Sequence, residues 1–470
     1  MIIRARTVVT MDGAPIDNGA VAVSGNRIDD SPSGSSPSRA ARLCRAAPAG
    51  SVVDVGKFDE LKTRNAGQIV DLGEQALLPG LINAHCHLDY TCLRGKIPPQ
   101  KTFAEWIRAI NAEKARLSPK DYLSSINEGF AEAKRFGTTT VANLTAFPNL
   151  IPQIHAPIRT CWFPELIDVR APKHANEIVD LAIESLRSLE CADMSALSKR
   201  RHVAALQTQH WGLAPHALFT TSKNLFACCE EIARRENVLL TTHLAESREE
   251  MEMFRDASGP LYEFMKGIGR PMDDCGKETP LAWLLDLIGR GGSPNRSQAI
   301  EVNRPYLPWI VAHLNELTES DFELLENARG QFHVVHCPRS HDYFKHSHFP
   351  FKRLDSLGFN ICLGTDSLAS NENLSLFAEM RAFQRSEPGI SPDKVLEMAT
   401  VNAGVALDQS PHGGKLGRVR AGFRADLIAV PYSGNSNLFE QILAFDGPVD
   451  WMLLDGKQER NTPAPANVSR

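Results

Sequence analysis

The pattern of apolar and polar positions divides the chain into a long middle part and two β-like ends. Short apolar runs with the length and β-branched content of strands lie near both chain ends, at 21–28, 51–55, 68–72, 422–430 and 448–453. Residues 29–50 are rich in Ser, Pro, Ala and Arg, a composition that buries little apolar surface. We therefore predict a flexible surface insertion at 29–50, within a β-domain built from both ends of the chain.

The middle of the chain follows another pattern. Short apolar runs alternate with helix-length segments, as where the helix-like residues 121–136 precede the strand-like residues 138–143. Alternation over so long a stretch indicates a parallel α/β architecture, and its length suits a (β/α)8 barrel. Residues 255–305 are rich in Gly, Asp and Pro, which predicts an insertion into the barrel.

Together the two patterns predict an α/β protein of two domains. The length of 470 residues leaves room for one large and one smaller domain. The larger is predicted to be a (β/α)8 TIM barrel at 76–409. The smaller is predicted to be a composite β-sandwich of residues 1–75 and 410–470.

Composition and charge exclude several classes of function. The net charge is -5 and the sequence pI is near 6.3, so no basic excess indicates a nucleic-acid surface. The chain contains no run of about 18 apolar residues, the length that a membrane-spanning helix needs. Its amino terminus lacks the pattern of a signal peptide. The ten cysteines lack paired spacing, apart from one adjacent pair, which is typical of thiols in a reducing compartment. We expect a soluble cytoplasmic protein.

The strongest chemical signal is a pair of histidines directly after an apolar run. Residues 77–87 read LLPGLINAHCH, so His85 and His87 stand two positions apart. On an extended segment both imidazoles point the same way, and one metal ion can take both. A lone pair of this kind is weak evidence. Its place at a predicted strand end strengthens it, because barrel active sites lie at the carboxyl ends of strands.

Two further apolar runs end in groups that suit the same site. The first delivers His243, a candidate third ligand, followed by Glu246, which would stand beside the metal as a proton shuttle. The second delivers Asp366, which can ligate a metal, accept a proton from its water, or do both. Each carboxylate also has a structural reading, since Glu246 suits a helix N-terminus and Asp366 suits a helix N-cap.

Three more histidines follow strand-like runs or their turns. His313 and His336 end apolar runs, and His216 lies in a turn-like stretch. Taken singly, each is more often a structural histidine than a ligand. Together with the candidate ligands they occupy the positions where a barrel places catalytic groups, so we interpret the set as one site.

At these residues the sequence resembles the amidohydrolase superfamily, in the branch of cytosine, guanine, S-adenosylhomocysteine and aminodeoxyfutalosine deaminases and triazine chlorohydrolases. The matching motifs run in order through nearly the whole chain: PGLINAHCHLD at 79–89, LRG at 93–95, APHALFTTS at 214–222, THLAES at 242–247, HCPRS at 336–340, LGTDSLASNENLSLFAEMR at 363–381 and GKLGRVRAGFRADLIAV at 414–430. The resemblance implies a distorted (β/α)8 barrel that hydrolytically deaminates an aminated N-heterocycle with hydroxide supplied by a metal. It favours a purine or nucleoside substrate, such as an adenosine derivative or aminodeoxyfutalosine.

The resemblance also implies a role for each candidate residue. One divalent ion, usually zinc and in some members iron or manganese, would be held by His85, His87, His243 and Asp366. Glu246 would protonate the ring nitrogen, Asp366 would also take the hydroxide proton, His313 would orient the water, and His216 would lie near the substrate. The only partner implied is a small-molecule substrate, and since relatives are often dimers or larger, a homo-oligomer stays open.

The sequence departs from the family near the substrate. Leu314 follows His313 where the family often has Cys or Gly, and His341 follows Ser340 where it often has Asn. The predicted insertion also places His313 farther beyond His243 than is usual. The segment that holds His341 lies near the substrate in relatives, so the identity of the substrate stays open, and so do the roles of His336 and His341.

Three residues are predicted from their chemistry to contact the substrate. Trp106 can stack on a base, although it also suits the buried face of an amphipathic helix. Arg94 and Arg339 can meet a polar or anionic group of the substrate.

Two alternative functions remain open. The same fold could support another hydrolysis, such as loss of chloride from a triazine or opening of a cyclic amide. Glu246 counts against those chlorohydrolases that lack a general acid at this point. The chain could also be a metal-free scaffold or binding protein, although such relatives lose ligands and this chain keeps all four.

Overall fold

The computed structural model describes residues 1–24, 48–65, 67–199, 210–289, 308–408 and 415–460. Residues 29–47 of the first predicted insertion and 290–305 of the second lie outside the described residues. Within the described ranges, every helix is too short or too polar to cross a membrane.

Strands and helices alternate through the middle of the chain, between β-rich ends. The strands are β1 (Ile2–Val8), β2 (Ile16–Val23), β3 (Val52–Lys57), β4 (Ile69–Asp71), β5 (Gln75–Pro79), β6 (Leu81–His87), β7 (Thr138–Thr145), β8 (Arg159–Leu166), β9 (His210–Pro215), β10 (Leu239–Leu244), β11 (Trp309–His313), β12 (Phe332–His336), β13 (Ile361–Leu363), β14 (Asp366–Ser367), β15 (Leu427–Pro431), β16 (Trp451–Leu454) and β17 (Lys457–Arg460). The α-helices are α1 (Phe58–Arg64), α2 (Phe103–Lys114), α3 (Pro119–Arg135), α4 (Ala175–Lys199), α5 (Lys223–Glu236), α6 (Arg248–Asp256), α7 (Gly259–Gly267), α8 (Pro280–Gly289), α9 (Glu319–Asn327), α10 (Pro338–Phe344), α11 (Phe351–Ser356), α12 (Leu376–Ser386), α13 (Pro392–Met398), α14 (Val401–Leu407) and α15 (Leu438–Ala444). Short 3-10 helices cover Leu88–Leu93, Pro148–Gln153 and Pro172–His174.

The two chain ends form a separate sheet, as predicted. Its strands follow the order β17-β16-β15-β5-β1-β2-β3, and β4 also pairs with β1. Strand β5 pairs antiparallel with the carboxy-terminal strand β15, with Leu77 opposite Ala429, so both chain ends share one hydrogen-bonded network. Leu61 of α1 packs on one face of this sheet. Since β5 runs to Pro79, the sheet extends beyond residue 75, the predicted boundary.

The barrel is closed by residues 361–367, whose two short strands pair with the two edges of the parallel sheet. Strands β6 to β13 lie side by side in chain order and pair in parallel. Strand β13 pairs with β12, and β14, just beyond it, pairs with β6. Across this seam Asn83 Nδ2 donates to Thr365 Oγ1 at 2.7 Å, between residues 282 positions apart. The predicted (β/α)8 barrel is therefore confirmed.

Helix α3 shows how the local sequence builds the outer layer. Ser118 and Asp121 form a capping box, in which each side chain accepts a hydrogen bond from the backbone N–H of the other. The buried side chains of Tyr122, Ile126 and Phe130 recur every four residues, so they form one apolar stripe that faces the core.

The amino-terminal end of the barrel is filled by apolar side chains. Ala403 and Ala406 of α14 belong to the same buried cluster as Ile82, Ala142 and Ile310 of the strands. This packing leaves the carboxyl ends of the strands as the face on which a site can open.

Buried ion pairs fasten the barrel to the chain-end sheet. Arg159 begins β8, and its Nη2 donates to Asp426 Oδ2 at 3.1 Å and to Asp455 Oδ1 at 2.6 Å. Arg424 Nη1 donates to the same Asp455 oxygen at 3.2 Å. All of these groups are buried or half-buried, so the pairing offsets a large desolvation cost.

The predicted insertion at 255–305 is helical over much of its described part, in α7 and α8. Between these helices Arg270 donates from Nε to Phe219 O at 3.0 Å and pairs through both terminal nitrogens with Asp274, at 2.8 Å each. Phe219 lies three residues beyond His216. The insertion is thereby tied to the loop that carries a predicted site residue.

Candidate metal centre and active site

The four predicted ligands meet at the carboxyl ends of the barrel strands. His85 and His87 end β6, His243 lies near the end of β10, and Asp366 opens β14. Because β14 pairs with β6, with Asp366 opposite Cys86, the last strand places its carboxylate beside the histidines of the first.

The three imidazoles turn their Nε2 atoms toward one another. His87 Nε2 lies 3.3 Å from His85 Nε2 and 3.3 Å from His243 Nε2. Donors placed tetrahedrally at about 2.0–2.1 Å from a zinc ion lie roughly 3.3–3.4 Å from one another. The observed spacing therefore fits a single ion that takes all three nitrogens.

The protonation of these rings suits metal binding. His243 Nδ1 lies 2.9 Å from His216 O, and since a carbonyl oxygen only accepts, Nδ1 carries the hydrogen. In the neutral ring Nε2 then carries a lone pair that can bind a metal ion. Among the described residues, Nδ1 of His85 and of His87 is buried without a hydrogen-bond partner. Burial is the largest cause that lowers the pKa of all three imidazoles, which favours the neutral form that binds metals.

The two oxygens of Asp366 face in different directions. Oδ1 lies 3.6 Å from His87 Nε2 and 3.8 Å from His85 Nε2. Oδ2 accepts hydrogen bonds from Ser340 Oγ at 2.6 Å and from Ser370 Oγ at 3.3 Å. The serines therefore hold one oxygen and leave the other for a metal ion.

Glu246 and His313 stand together beside this cluster. Donor atoms of Glu246, His313 and Asp366 lie within 4.8 Å of one another, and Glu246 Oε1 is 3.8 Å from His313 Nε2. The Glu246 backbone is fixed by Glu250, which accepts its N–H at 2.8 Å, and by Asn315 Nδ2, which donates to its carbonyl at 3.0 Å. Burial first, then the charges of Asp366 and Glu250, raises the pKa of Glu246 well above its usual value. The raised pKa favours the protonated form of this carboxyl group, which is the form that can donate a proton.

A further carboxylate, which the sequence analysis missed, lies on the other flank. Glu165 near the end of β8 places Oε1 3.5 Å from His87 Nδ1 and 3.7 Å from His216 Nε2. Donor atoms of Glu165, His216 and His243 also lie within 4.8 Å of one another. The available signal was its position directly after the apolar run at 161–164, the same pattern that identified the ligands.

The backbone is strained where it presents several of these groups. Ala245, His313, Leu314 and Asp366 have φ of 48°, 77°, 52° and 55°, in the left-handed region that non-glycine residues seldom adopt. Two backbone hydrogen bonds, Leu314 N to Leu244 O and Asn315 N to Ala245 O, at 2.9 Å each, hold part of this conformation. Such outliers are typical of functional sites, where surrounding structure fixes an unfavourable geometry.

The two predicted substrate arginines lie in ion pairs away from the ligand cluster. Arg94 pairs with Glu132 of α3. Arg339 donates from Nη1 to Asn373 Oδ1 and from Nη2 to Glu372 Oε2, both at 2.8 Å. The structure therefore gives each guanidinium a partner within the protein, and does not bring it to the ligands.

Trp106 lies in the wall of a cavity on the carboxyl face of the barrel. This cavity, of about 410 Å³, is also lined by Phe103, Phe344, Ser247 and His346. Trp106 stacks on Phe103, with ring centroids 5.8 Å apart, and meets Phe344 edge to face at 4.9 Å. Since Ser247 directly follows Glu246, the cavity adjoins the Glu246 side of the cluster.

The structure places His336 in a packing contact and His341 beside a residue that holds the Glu246 backbone. The His336 ring stacks on Phe349 with centroids 3.9 Å apart. His341 Nδ1 lies 3.2 Å from Oδ1 of Asn315, the residue that holds the Glu246 carbonyl.

Comparison with known proteins identifies the family and the fold. The amidohydrolase family model matches residues 76–458. A 5-methylthioadenosine/S-adenosylhomocysteine deaminase of Syntrophobacter fumaroxidans is 30% identical over 395 residues, which cover 82% of this chain and 78% of that protein. In fold, the chain is similar to Helicobacter pylori aminofutalosine deaminase in complex with methylthio-coformycin, with a TM-score of 0.76 and 17% identity over 97% of this chain and 99% of that one. It is also similar to the zinc complex of Arthrobacter aurescens atrazine chlorohydrolase, with a TM-score of 0.70 and 17% identity over 99% and 97%. The protein belongs to the amidohydrolase family.

Proposed function

We propose that this protein hydrolytically deaminates an amino-substituted nitrogen heterocycle, of the purine nucleoside type, with one zinc ion. An adenosine derivative or aminodeoxyfutalosine would be such a substrate. The observation that carries the proposal is the convergence of three imidazole Nε2 atoms and Asp366 Oδ1, with the carboxyl of Glu246 beside them. The deaminase names of the relatives support the same reaction.

The proposed ligands suit zinc better than a hard cation. Three neutral imidazoles and one carboxylate form a first shell that zinc binds well, whereas magnesium and calcium prefer oxygen donors. Bound by His85, His87, His243 and Asp366, the ion would lower the pKa of water from 15.7 to about 7 and so supply hydroxide at neutral pH.

The protein's own groups then handle the protons. Glu246 would donate its proton to the ring nitrogen beside the carbon under attack, and its raised pKa keeps that proton available. Asp366 would accept the proton released by the nucleophile. His313, whose Nε2 lies 3.8 Å from Glu246 Oε1, would orient the nucleophile. Asp366 would then pass that proton to the amino group, which leaves as ammonia, and the substrate keeps the new oxygen at the attacked carbon.

The cavity beside Glu246 is our candidate for the rest of the substrate. Trp106, Phe103 and Phe344 give it an aromatic wall, and the exposed charged groups of Lys101 and Lys345 lie at its lining. Heterocycles with a bulky substituent would place that substituent here while the amino group faces the metal ligands. His216, on the opposite flank, would contact the heterocycle.

The test is ammonia release from the zinc-loaded protein. Adenosine, 5-methylthioadenosine, S-adenosylhomocysteine, aminodeoxyfutalosine, guanine and cytosine form the panel, and a chlorotriazine is followed by chloride release. We expect ammonia from a purine nucleoside. Glu246→Gln should keep its zinc and lose about 10²–10⁴-fold in kcat/KM, whereas His243→Ala should lose zinc as well. Chloride release without ammonia would replace the deaminase by a chlorohydrolase, and a protein that binds no zinc would overturn the proposal.

A further inference from the structure

Glu165 is a buried carboxylate between two imidazoles. Its side chain is 5% exposed, and Oε1 lies 3.5 Å from His87 Nδ1 and 3.7 Å from His216 Nε2. Among the described residues no hydrogen bond is made to its oxygens. A carboxylate placed so deeply needs a donor, because burial without one is costly.

The tautomers of the two rings decide which of them is that donor. We assign the Thr220 hydroxyl hydrogen to Ala217 O, 3.2 Å from Oγ1, so that Oγ1 accepts from His216 Nδ1 at 2.7 Å. A neutral His216 then presents a lone pair at Nε2, which cannot donate to Glu165.

His87 presents the complementary atom. Its Nε2 faces the Nε2 atoms of His85 and His243, so the hydrogen of the neutral ring belongs on Nδ1. That Nδ1 is buried and lacks a hydrogen-bond partner among the described residues. The present separation of 3.5 Å is about 0.3–0.6 Å beyond a usual N–H···O bond, a gap that a small rotation of the Glu165 side chain would close.

We propose that Glu165 is a positioning residue, whose Oε1 accepts the Nδ1 hydrogen of His87 and holds Nε2 toward the other ligands. Carboxylates commonly fix a ligating histidine in this way, setting both its tautomer and its ring orientation. This inference rests on the proposed function in one respect, the assignment of His87 as a metal ligand. It does not depend on which heterocycle is the substrate.

The test measures metal binding, with activity left aside. Zinc dissociation constants are determined by chelator competition on metal-free protein, and the cobalt-substituted protein gives an absorption spectrum that reports ligand geometry. Glu165→Leu removes the acceptor and should weaken zinc binding about 10–100-fold, with a changed cobalt spectrum. Glu165→Gln retains an uncharged acceptor, so it should restore part of the affinity.

Two controls separate the possible failures. Glu387→Gln alters a carboxylate that is also 5% exposed but pairs with His348 and Lys352, and it should leave zinc binding unchanged. His87→Ala should abolish tight binding. If Glu165→Leu binds zinc as tightly as the parent while His87→Ala does not, the positioning role is wrong. If His87→Ala also binds normally, the ligand assignment itself fails. Should Glu165→Leu not fold, as judged by circular dichroism, Glu165→Ala takes its place as the variant without an acceptor, and parental affinity and spectrum in that variant overturn the proposal.

Discussion

Ser340 makes the shorter of the two serine hydrogen bonds to Asp366, and Ser340→Ala removes it. The hydroxyl donates to Oδ2 at 2.6 Å, while Ser370 donates to the same oxygen at 3.3 Å. Ser340 is buried, so water cannot readily replace the lost donor. The substitution deletes a single oxygen and leaves the apolar packing of its surroundings nearly intact.

The expected loss follows from the charge of the acceptor. A hydrogen bond to a charged group contributes about 1.5–3 kcal/mol net, and about 1.4 kcal/mol corresponds to a tenfold change in Kd. If Asp366 is a ligand and the bond holds its free oxygen toward the ion, Ser340→Ala should weaken zinc binding roughly 10–100-fold. Since Ser340 and Ser370 also lie 2.9 Å apart, Ser370 can shift toward Oδ2 and reduce the loss.

The assay is a chelator competition titration of the metal-free protein. Ser370→Ala is the matched control: its longer bond should cost about fivefold or less. In the double variant the loss of zinc-binding free energy should exceed the sum of the losses in the two single variants, because neither serine can then compensate for the other. Zinc affinity within twofold of the parent in Ser340→Ala and in the double variant would refute the assignment of Ser340 as the group that holds Asp366.

Three other predictions concern stability and the position of the ligands. Arg159→Met leaves two buried carboxylates without their shared cation, so it should lower the free energy of unfolding, measured by urea denaturation, by about 3–5 kcal/mol. The control Arg353→Met breaks an exposed ion pair and should lower the same free energy by less than about 1 kcal/mol. Burial raises the pKa of Glu379 to about 8, above an unfolded value of about 4.3, so the folded state holds an extra proton and stability should fall as pH rises between these values. Glu379→Gln should flatten that part of the profile of urea midpoint against pH, and an unchanged slope would contradict the reasoning. In Gly364→Ala the new Cβ would meet the carbonyl oxygen of His85 at 2.8 Å, so we expect a displaced ligand strand and a lower zinc content by elemental analysis.

The sequence predicts the barrel and its ligand candidates for one physical reason. In a parallel barrel each strand delivers the residue after its apolar run to the same rim, so His85, His243 and Asp366 can be grouped without knowing any contact between them. The same reasoning could have included Glu165. No recognised motif accompanies that residue, so only its position after an apolar run identifies it.

Other features depend on contacts that no local pattern encodes. The local sequence around an arginine such as Arg339 does not show whether its side chain faces a substrate or a carboxylate of its own chain. Strand β5 of the chain-end sheet runs to Pro79, and its apolar residues continue directly into β6, interrupted only by Gly80. A Cβ at Gly80 would lie 2.1 Å from Thr139 Cγ2, so the strand changes sheets at a point of close approach that periodicity does not reveal.

The seam between Asn83 and Thr365 has a consequence for how the molecule is made. A contact that closes a loop of 282 positions carries a larger chain-entropy cost than any pairing of consecutive strands. We therefore expect it to form late, after the intervening strands are in register. His85 and Asp366 lie on opposite sides of this seam, so a chain emerging from the ribosome carries its histidine donors long before their carboxylate. The complete donor set exists only once synthesis has passed the last barrel strand and the ring has closed.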